Sequence, residues 1–128
     1  MKNFLLIDDD DITCMIHSEI IKLAFSDCNI KIISSSFEAL LYLSEFSESE
    51  LKAPDIIFLD INLPEMSGFE LLEKLSSKAL KNIRQSRILL LSSSIDPRDL
   101  KKAKENPLIE KFLGKPLSVE FLRNELGC

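Results

Sequence analysis

Ile56-Ile57-Phe58-Leu59-Asp60 is an unbroken apolar run that stops on a carboxylate, bounded by Pro54 on one side and by Pro64 and Gly68 on the other. A run this short between turn residues reads as a strand rather than a helix. Nothing polar alternates with the apolar residues, so both faces of the strand avoid water. That is the signature of a central strand in a parallel sheet covered by helices on both sides. The same pattern recurs outward in both directions. Asn3 to Ile7 runs into Asp8-Asp9-Asp10-Asp11, Ile88 to Leu91 into Ser92, and Ile109 to Leu113 is followed closely by Lys115, while Ile30 to Ser34 is a weaker second strand.

Segments with helical spacing separate these runs. Ile12, Met15, Ile16, Ile20 and Leu23 share one helix face. Ser35 and Glu38 form a capping box that starts a second helix near residue 36, carrying Ala39, Leu40, Leu43 and Phe46. Residues 47 to 54 are a polar connection. Phe69, Leu72 and Leu75 begin a third helix; Asp96-Pro97 supplies an N-cap and a first-position proline for a short fourth that ends before Pro107; Ser118 caps a last one carrying Val119, Leu122 and Leu126. Five βα units follow, hence a doubly wound α/β sheet. In such sheets the chemistry lies outside the C-terminal strand ends. The acidic cluster, Asp60, Ser92 and Lys115 should therefore converge at one edge, where carboxylates, a hydroxyl and an amine suit a divalent metal and a phosphoryl group.

The chain has 128 residues, the size of one domain (1–128) with one core, and no output domain is expected beside it. Hydrophobic residues make up 45% and charged residues 29%, the balance of a globular chain rather than a disordered one. A net charge of -5 argues against nucleic acid as a direct partner, which would call for clustered Lys and Arg. Cys14, Cys28 and Cys128 lack metal-ligand spacing, and Cys14 reads as a small core residue. Phe4 to Ile7 is too short for a secretory segment, and nothing approaches a membrane span of ~20 apolar residues. No membrane association and a cytoplasmic location are expected.

Taken in order, Leu5-Leu6-Ile7-Asp8-Asp9-Asp10, Phe58-Leu59-Asp60-Ile61-Asn62-Leu63-Pro64-Glu65-Met66-Ser67-Gly68, Leu91-Ser92-Ser93 and Lys115-Pro116 resemble the receiver domain of two-component response regulators, in its single-domain, chemotaxis-regulator-like form. The likeness spans essentially the whole chain. It implies a flavodoxin-like (βα)5 sandwich, with five parallel strands ordered 2-1-3-4-5, and a phosphorelay switch. Asp60 would be the phosphoacceptor. Asp8, Asp9, Asp60 and the Asn62 backbone carbonyl would hold Mg2+, a hard ion that takes carboxylate and phosphate oxygens. Lys115 would place an ammonium beside the phosphoryl oxygens, with a cis peptide before Pro116. Ser92, or Ser93 next to it, would supply the switch hydroxyl, and Phe112 its aromatic partner. A sensor histidine kinase or histidine phosphotransfer protein would donate the phosphoryl group, and a protein target would read the result.

Other residues invite separate readings. Asp11 is placed to interact with a helix dipole, Asp10 to be solvated near the site mouth, and His17 to be a partly exposed helical residue. Lys104-Glu105-Asn106-Pro107-Leu108 departs from the glycine-containing helix exit usual in receivers, so partner choice does not transfer from them. Two competing functions remain. One is a receiver-like docking module that is not phosphorylated. The other is a phosphatase with an aspartyl nucleophile, which needs a second Asp two residues beyond the first; Asn62 stands there and cannot move the proton. The chain is therefore expected to catalyse only its own phosphorylation and autodephosphorylation.

Overall fold

All five residues of the strand Ile56–Asp60 are buried, and its neighbours follow from that. The computed structural model describes residues 1–45 and 53–127. In chain order the elements are β1 (Lys2–Ile7), α1 (Asp11–Ala24), β2 (Cys28–Ile33), α2 (Ser36–Glu45), β3 (Ile56–Asp60), α3 (Gly68–Glu73), α4 (Ser77–Ile83), β4 (Arg87–Ser92), α5 (Pro97–Glu105), β5 (Ile109–Gly114) and α6 (Val119–Leu126). The five strands are parallel and ordered β2-β1-β3-β4-β5, with β3 in the centre. This is the flavodoxin-like strand order expected from the sequence.

Period-two alternation divides the core in two. Leu5 and Ile7, Ile57 and Leu59, and Ile88 and Leu90 point to one face, where Ala39, Leu43, Leu71, Leu72, Ala79, Ile83 and Ala103 of α2 to α5 cover them. Phe4 and Leu6, Ile56 and Phe58, and Leu89 and Leu91 point to the other, against Ile21 of α1 and Leu122 and Leu126 of α6. Each such side chain contributes about 1.5–3 kcal/mol on full burial, so slipping β3 by one residue would forfeit both layers together. Between β4 and β5 the register shifts after Ile88↔Ile109, so that Leu89 pairs with Lys111. This single bulge turns Phe112 toward the α2–α5 side and Leu113 toward the α1–α6 side.

The caps are where residue chemistry places them. The Asp96 carboxylate accepts from Arg98 N–H with Pro97 opening α5, and the Ser118 hydroxyl accepts from Phe121 N–H at the start of α6. Ser35 Oγ accepts from Glu38 N–H at 3.4 Å, one half of the expected capping box. Phe46, most of the expected connection over 47–54, and Cys128 lie outside the described residues.

Two expectations require correction. The third crossover holds two short helices, because Ser76 caps a new one: its Oγ accepts from Ala79 N–H, and Ala79 and Ile83 are buried. The apolar stripe assigned to α1 also faces outward. Ile12, Met15, Ile16 and Leu23 are exposed, whereas Cys14, His17, Ser18 and Ile21 are buried. Two of the inward residues, Cys14 and His17, bond to the Asp8 carbonyl and the Leu117 N–H, so polar contacts occupy part of the face turned to the sheet.

Candidate active site

Parallel register gathers the site. Ile7 pairs with Leu59, so Asp8 and Asp60 emerge side by side, and Ser92 pairs with Gly114, one residue before Lys115. Asp8 and Asp60 are buried, at 4% and 5% exposure, while Asp9 opens to solvent. Carboxylate oxygens of Asp8, Asp9 and Asp60 lie within 4.8 Å of one another.

Each buried carboxylate is fixed at both oxygens. Asp8 Oδ1 accepts Asp10 N–H at 3.0 Å, and Asp60 Oδ1 accepts Asn62 N–H at 3.0 Å. The remaining oxygens face one cation: Lys115 Nζ is 2.7 Å from Asp8 Oδ2 and 3.1 Å from Asp60 Oδ2. Burial pushes the Asp60 pKa up, against the lowering influence of the Asn62 N–H and the Lys115 charge. Burial works against the Lys115 ammonium, but the Asp8 hydrogen bond and the charges of Asp60 and Asp8 outweigh it, and its pKa rises. Lys115 is thus a resident counter-ion for two carboxylates drawn out of water. The donor set is anionic and all oxygen, with one open side, which fits a hard divalent cation such as Mg2+.

The other candidate residues have contacts of their own. Ser92 is buried and Ser93 exposed; Ser92 Oγ donates to Ser94 O at 2.5 Å and accepts from Ser94 N–H at 3.3 Å. The Lys115–Pro116 peptide is cis. Phe112 is half-buried and lines a cleft of about 530 Å³ with Leu100, Ala103 and Lys104 of α5. Asn62 reaches Asp60 through its N–H, and its side chain is exposed. Asp10 is not merely solvated: it is the N-cap of α1, accepting from Ile12 N–H at 3.2 Å and from Thr13 Oγ1 at 2.6 Å, a contact that lowers its pKa. Asp11 opens α1 as a first-turn acid.

Several contacts around the site were not anticipated from the sequence, although Cys14 is buried as expected. The expectation of a partly exposed His17 is corrected: it is 2% exposed, and its Nε2 accepts from Leu117 N–H at 3.2 Å. Cys14 Sγ donates to Asp8 O at 3.4 Å, and burial together with the Asp8 and Asp11 charges pushes its thiol up to about 11. Glu65 accepts from Ser35 Oγ and Ser36 Oγ at 3.4 and 3.3 Å, tying the loop after β3 to α2. Gly68 permits the chain to fold back on β3, since a Cβ there would stand 2.8 Å from Asp60 O. The serines and the glycine were visible signals; the histidine contact joins residues 100 positions apart and had none.

Residues 4–126 match the family model of the response regulator receiver domain. The chain belongs to the response regulator receiver family. A crystal structure of a two-component response regulator from Cytophaga hutchinsonii superposes with a TM-score of 0.87 at 34% identity, covering 97% of this chain and 92% of that one. A response regulator from Burkholderia pseudomallei, solved with a phosphorylated aspartic acid, a calcium ion and citrate, shares the fold with a TM-score of 0.73 at 23% identity, covering 95% of this chain and 64% of that one. Among curated proteins, the two-component response regulator ORR1 of Oryza sativa subsp. japonica is 32% identical over 95 residues, 72% of this chain. The match spans 40% of the rice protein's length. Receivers are signalling modules of two-component systems controlled by phosphorylation, and they bind Mg2+ at an acidic cluster of this kind.

Proposed function

We propose that this receiver accepts a phosphoryl group on Asp60 from a phosphohistidine donor and presents a changed surface to a protein target while it is phosphorylated. The observation that carries this is the buried Asp60 carboxylate, held at one oxygen by the Asn62 N–H and at the other by Lys115. An Asp60 oxygen attacks phosphorus, a P–O bond forms, the P–N bond of the phosphohistidine breaks, and the imidazole leaves with the electron pair. Water later cleaves the acyl phosphate, returning the carboxylate and releasing inorganic phosphate. Mg2+ held by Asp8, Asp9, Asp60 and the Asn62 backbone carbonyl would offset negative charge on the transferring group.

Within the chain, Lys115 exchanges its bond with Asp60 for one to a phosphoryl oxygen. That exchange retains the ammonium as counter-ion and orients the group. The Ser92 hydroxyl, the buried one of the two serines, leaves the Ser94 carbonyl and donates to the phosphoryl group. Phe112 follows by packing into the space released, and the cleft between α5 and β5 changes shape for a target. A two-state element biased by local charge is sufficient for a switch. Beside the site mouth, the outward stripe of Ile12, Met15 and Ile16 on α1 gives a histidine kinase or phosphotransfer protein an apolar surface to cover. Among the described residues no helix is long and apolar enough to cross a membrane, and we place the switch in the cytoplasm. As with other receivers, it turns over only its own acyl phosphate.

Addition of beryllofluoride with Mg2+ tests the reading by two-dimensional NMR. Shifts at Asp60, Ser92, Lys115 and Phe112 beyond those that Mg2+ alone produces, and absent when Mg2+ is omitted, are expected. A protein whose spectrum stays unchanged is a docking module instead.

A further inference from the structure

His17 carries a contact that no step above uses. Its ring lies on the inner face of α1, and Nε2 accepts the buried Leu117 N–H at 3.2 Å. To accept there, the imidazole must be neutral with its proton on Nδ1. Burial, with the Lys115 charge, favours that neutral form.

The segment that holds Lys115 has few other ways to be fixed. Proline has no N–H, so residues 115 to 117 offer two backbone donors only. Lys115 N–H donates to Ser92 O at 2.8 Å, and Leu117 N–H donates to His17. The ammonium between these anchors must meet Asp8 Oδ2 at 2.7 Å and Asp60 Oδ2 at 3.1 Å together. The first anchor belongs to the sheet. The second comes from α1, whose Cys14 also donates to Asp8 O, so one helix face grips both strand ends that meet at the ion pair.

We propose that His17 is a positioning residue for phosphoryl recognition: by accepting the Leu117 N–H it fixes the Lys115–Pro116–Leu117 turn and so the place of the Lys115 ammonium. The inference rests on the phosphoacceptor reading above. A histidine that merely satisfied a buried N–H would affect stability alone, whereas a positioning residue changes what Lys115 touches and leaves what Lys115 does not touch. The beryllofluoride fluorines, which stand in for phosphoryl oxygens, belong to the first group; Mg2+ affinity, which the ammonium opposes at Asp8 and Asp60, should not fall.

The test compares His17→Leu, which removes the acceptor, with His17→Gln, whose amide oxygen can take the Nε2 place. Each is titrated with Mg2+ alone and then with beryllofluoride at saturating Mg2+, with Leu117 amide exchange followed by NMR. His17→Leu is expected to bind beryllofluoride about tenfold more weakly, the low end of what losing a supporting hydrogen bond costs a bound group, with Mg2+ affinity not reduced and Leu117 exchange faster. His17→Gln should restore both. Equal beryllofluoride affinity in His17→Leu and wild type, or equal weakening in both variants, would overturn the proposal. Should His17→Leu not fold, the wild-type imidazole decides: long-range ¹H–¹⁵N spectra are expected to show Nδ1–H and a bare Nε2, and a proton on Nε2 would refute the contact. Wild-type protein that ignores beryllofluoride altogether would instead condemn the phosphoacceptor reading.

Discussion

Replacing Lys115 by Met removes the cation but keeps most of the side-chain volume, and it exposes the electrostatic debt of the site. The ammonium is 12% exposed and its two carboxylate partners are each 6% exposed, at 2.7 and 3.1 Å. Breaking a buried pair by deleting one partner costs about 3–5 kcal/mol, because the surviving charge is stranded. Here each carboxylate keeps one backbone N–H and the site has an open side, so the low end applies, about 3 kcal/mol. For a domain of this size 1 kcal/mol corresponds to roughly 3–5 °C, so the melting temperature in EDTA should fall by roughly 10 °C. Mg2+ then occupies carboxylates that no ammonium contests. At a hundredfold excess over its dissociation constant a ligand contributes about 2.7 kcal/mol, so saturating Mg2+ should recover most of the loss. Calorimetry of both proteins with and without Mg2+ measures this. A variant that melts with wild type in EDTA, or gains no more from Mg2+ than wild type does, refutes the argument.

Three further outcomes follow from single contacts. Gly68→Ala puts a methyl 2.8 Å from the Asp60 carbonyl and 3.2 Å from Ile61 Cα, which backbone cannot easily yield; a loss of about 1–3 kcal/mol should appear in urea melts, with slower acetyl phosphate labelling. His17 is held neutral with its pKa lowered by burial, so its contribution is fully present above the unfolded pKa near 6.5 and is lost as pH falls from there toward the folded value. Urea midpoints should therefore decline below pH 6.5 more in wild type than in His17→Gln, and parallel curves would contradict this. Arg87→Ala removes a bidentate pair with Glu110 at 2.8 and 2.6 Å on a partly exposed surface; about 1 kcal/mol or less is expected, shrinking in high salt.

Strand ends were legible because short apolar runs bounded by turn residues leave few other readings, and because Asp8, Asp60, Ser92 and Lys115 each follow one. The caps at Asp96 and Ser118 were equally plain, being local hydrogen bonds between residues two or three apart. Two things were not legible. The helix over Ser77–Ile83 has only two buried residues, too few to show a period, although Ser76 marks its start. On α1 the more apolar stripe is the exposed one, since the buried face was chosen for what Cys14 and His17 can bond to, and those partners, Asp8 and Leu117, are set by the tertiary fold. Hydrophobic periodicity cannot register a histidine buried for its lone pair.

The central claim is that the Asp60 carboxylate takes the phosphoryl group. Incubation with acetyl phosphate and Mg2+, borohydride reduction of the acyl phosphate and peptide mapping by mass spectrometry tests it directly. One modification is expected, on the peptide containing Asp60, requiring Mg2+ and absent from Asp60→Asn. A label that persists in Asp60→Asn, or that maps to Asp8 or Asp9, would contradict the account.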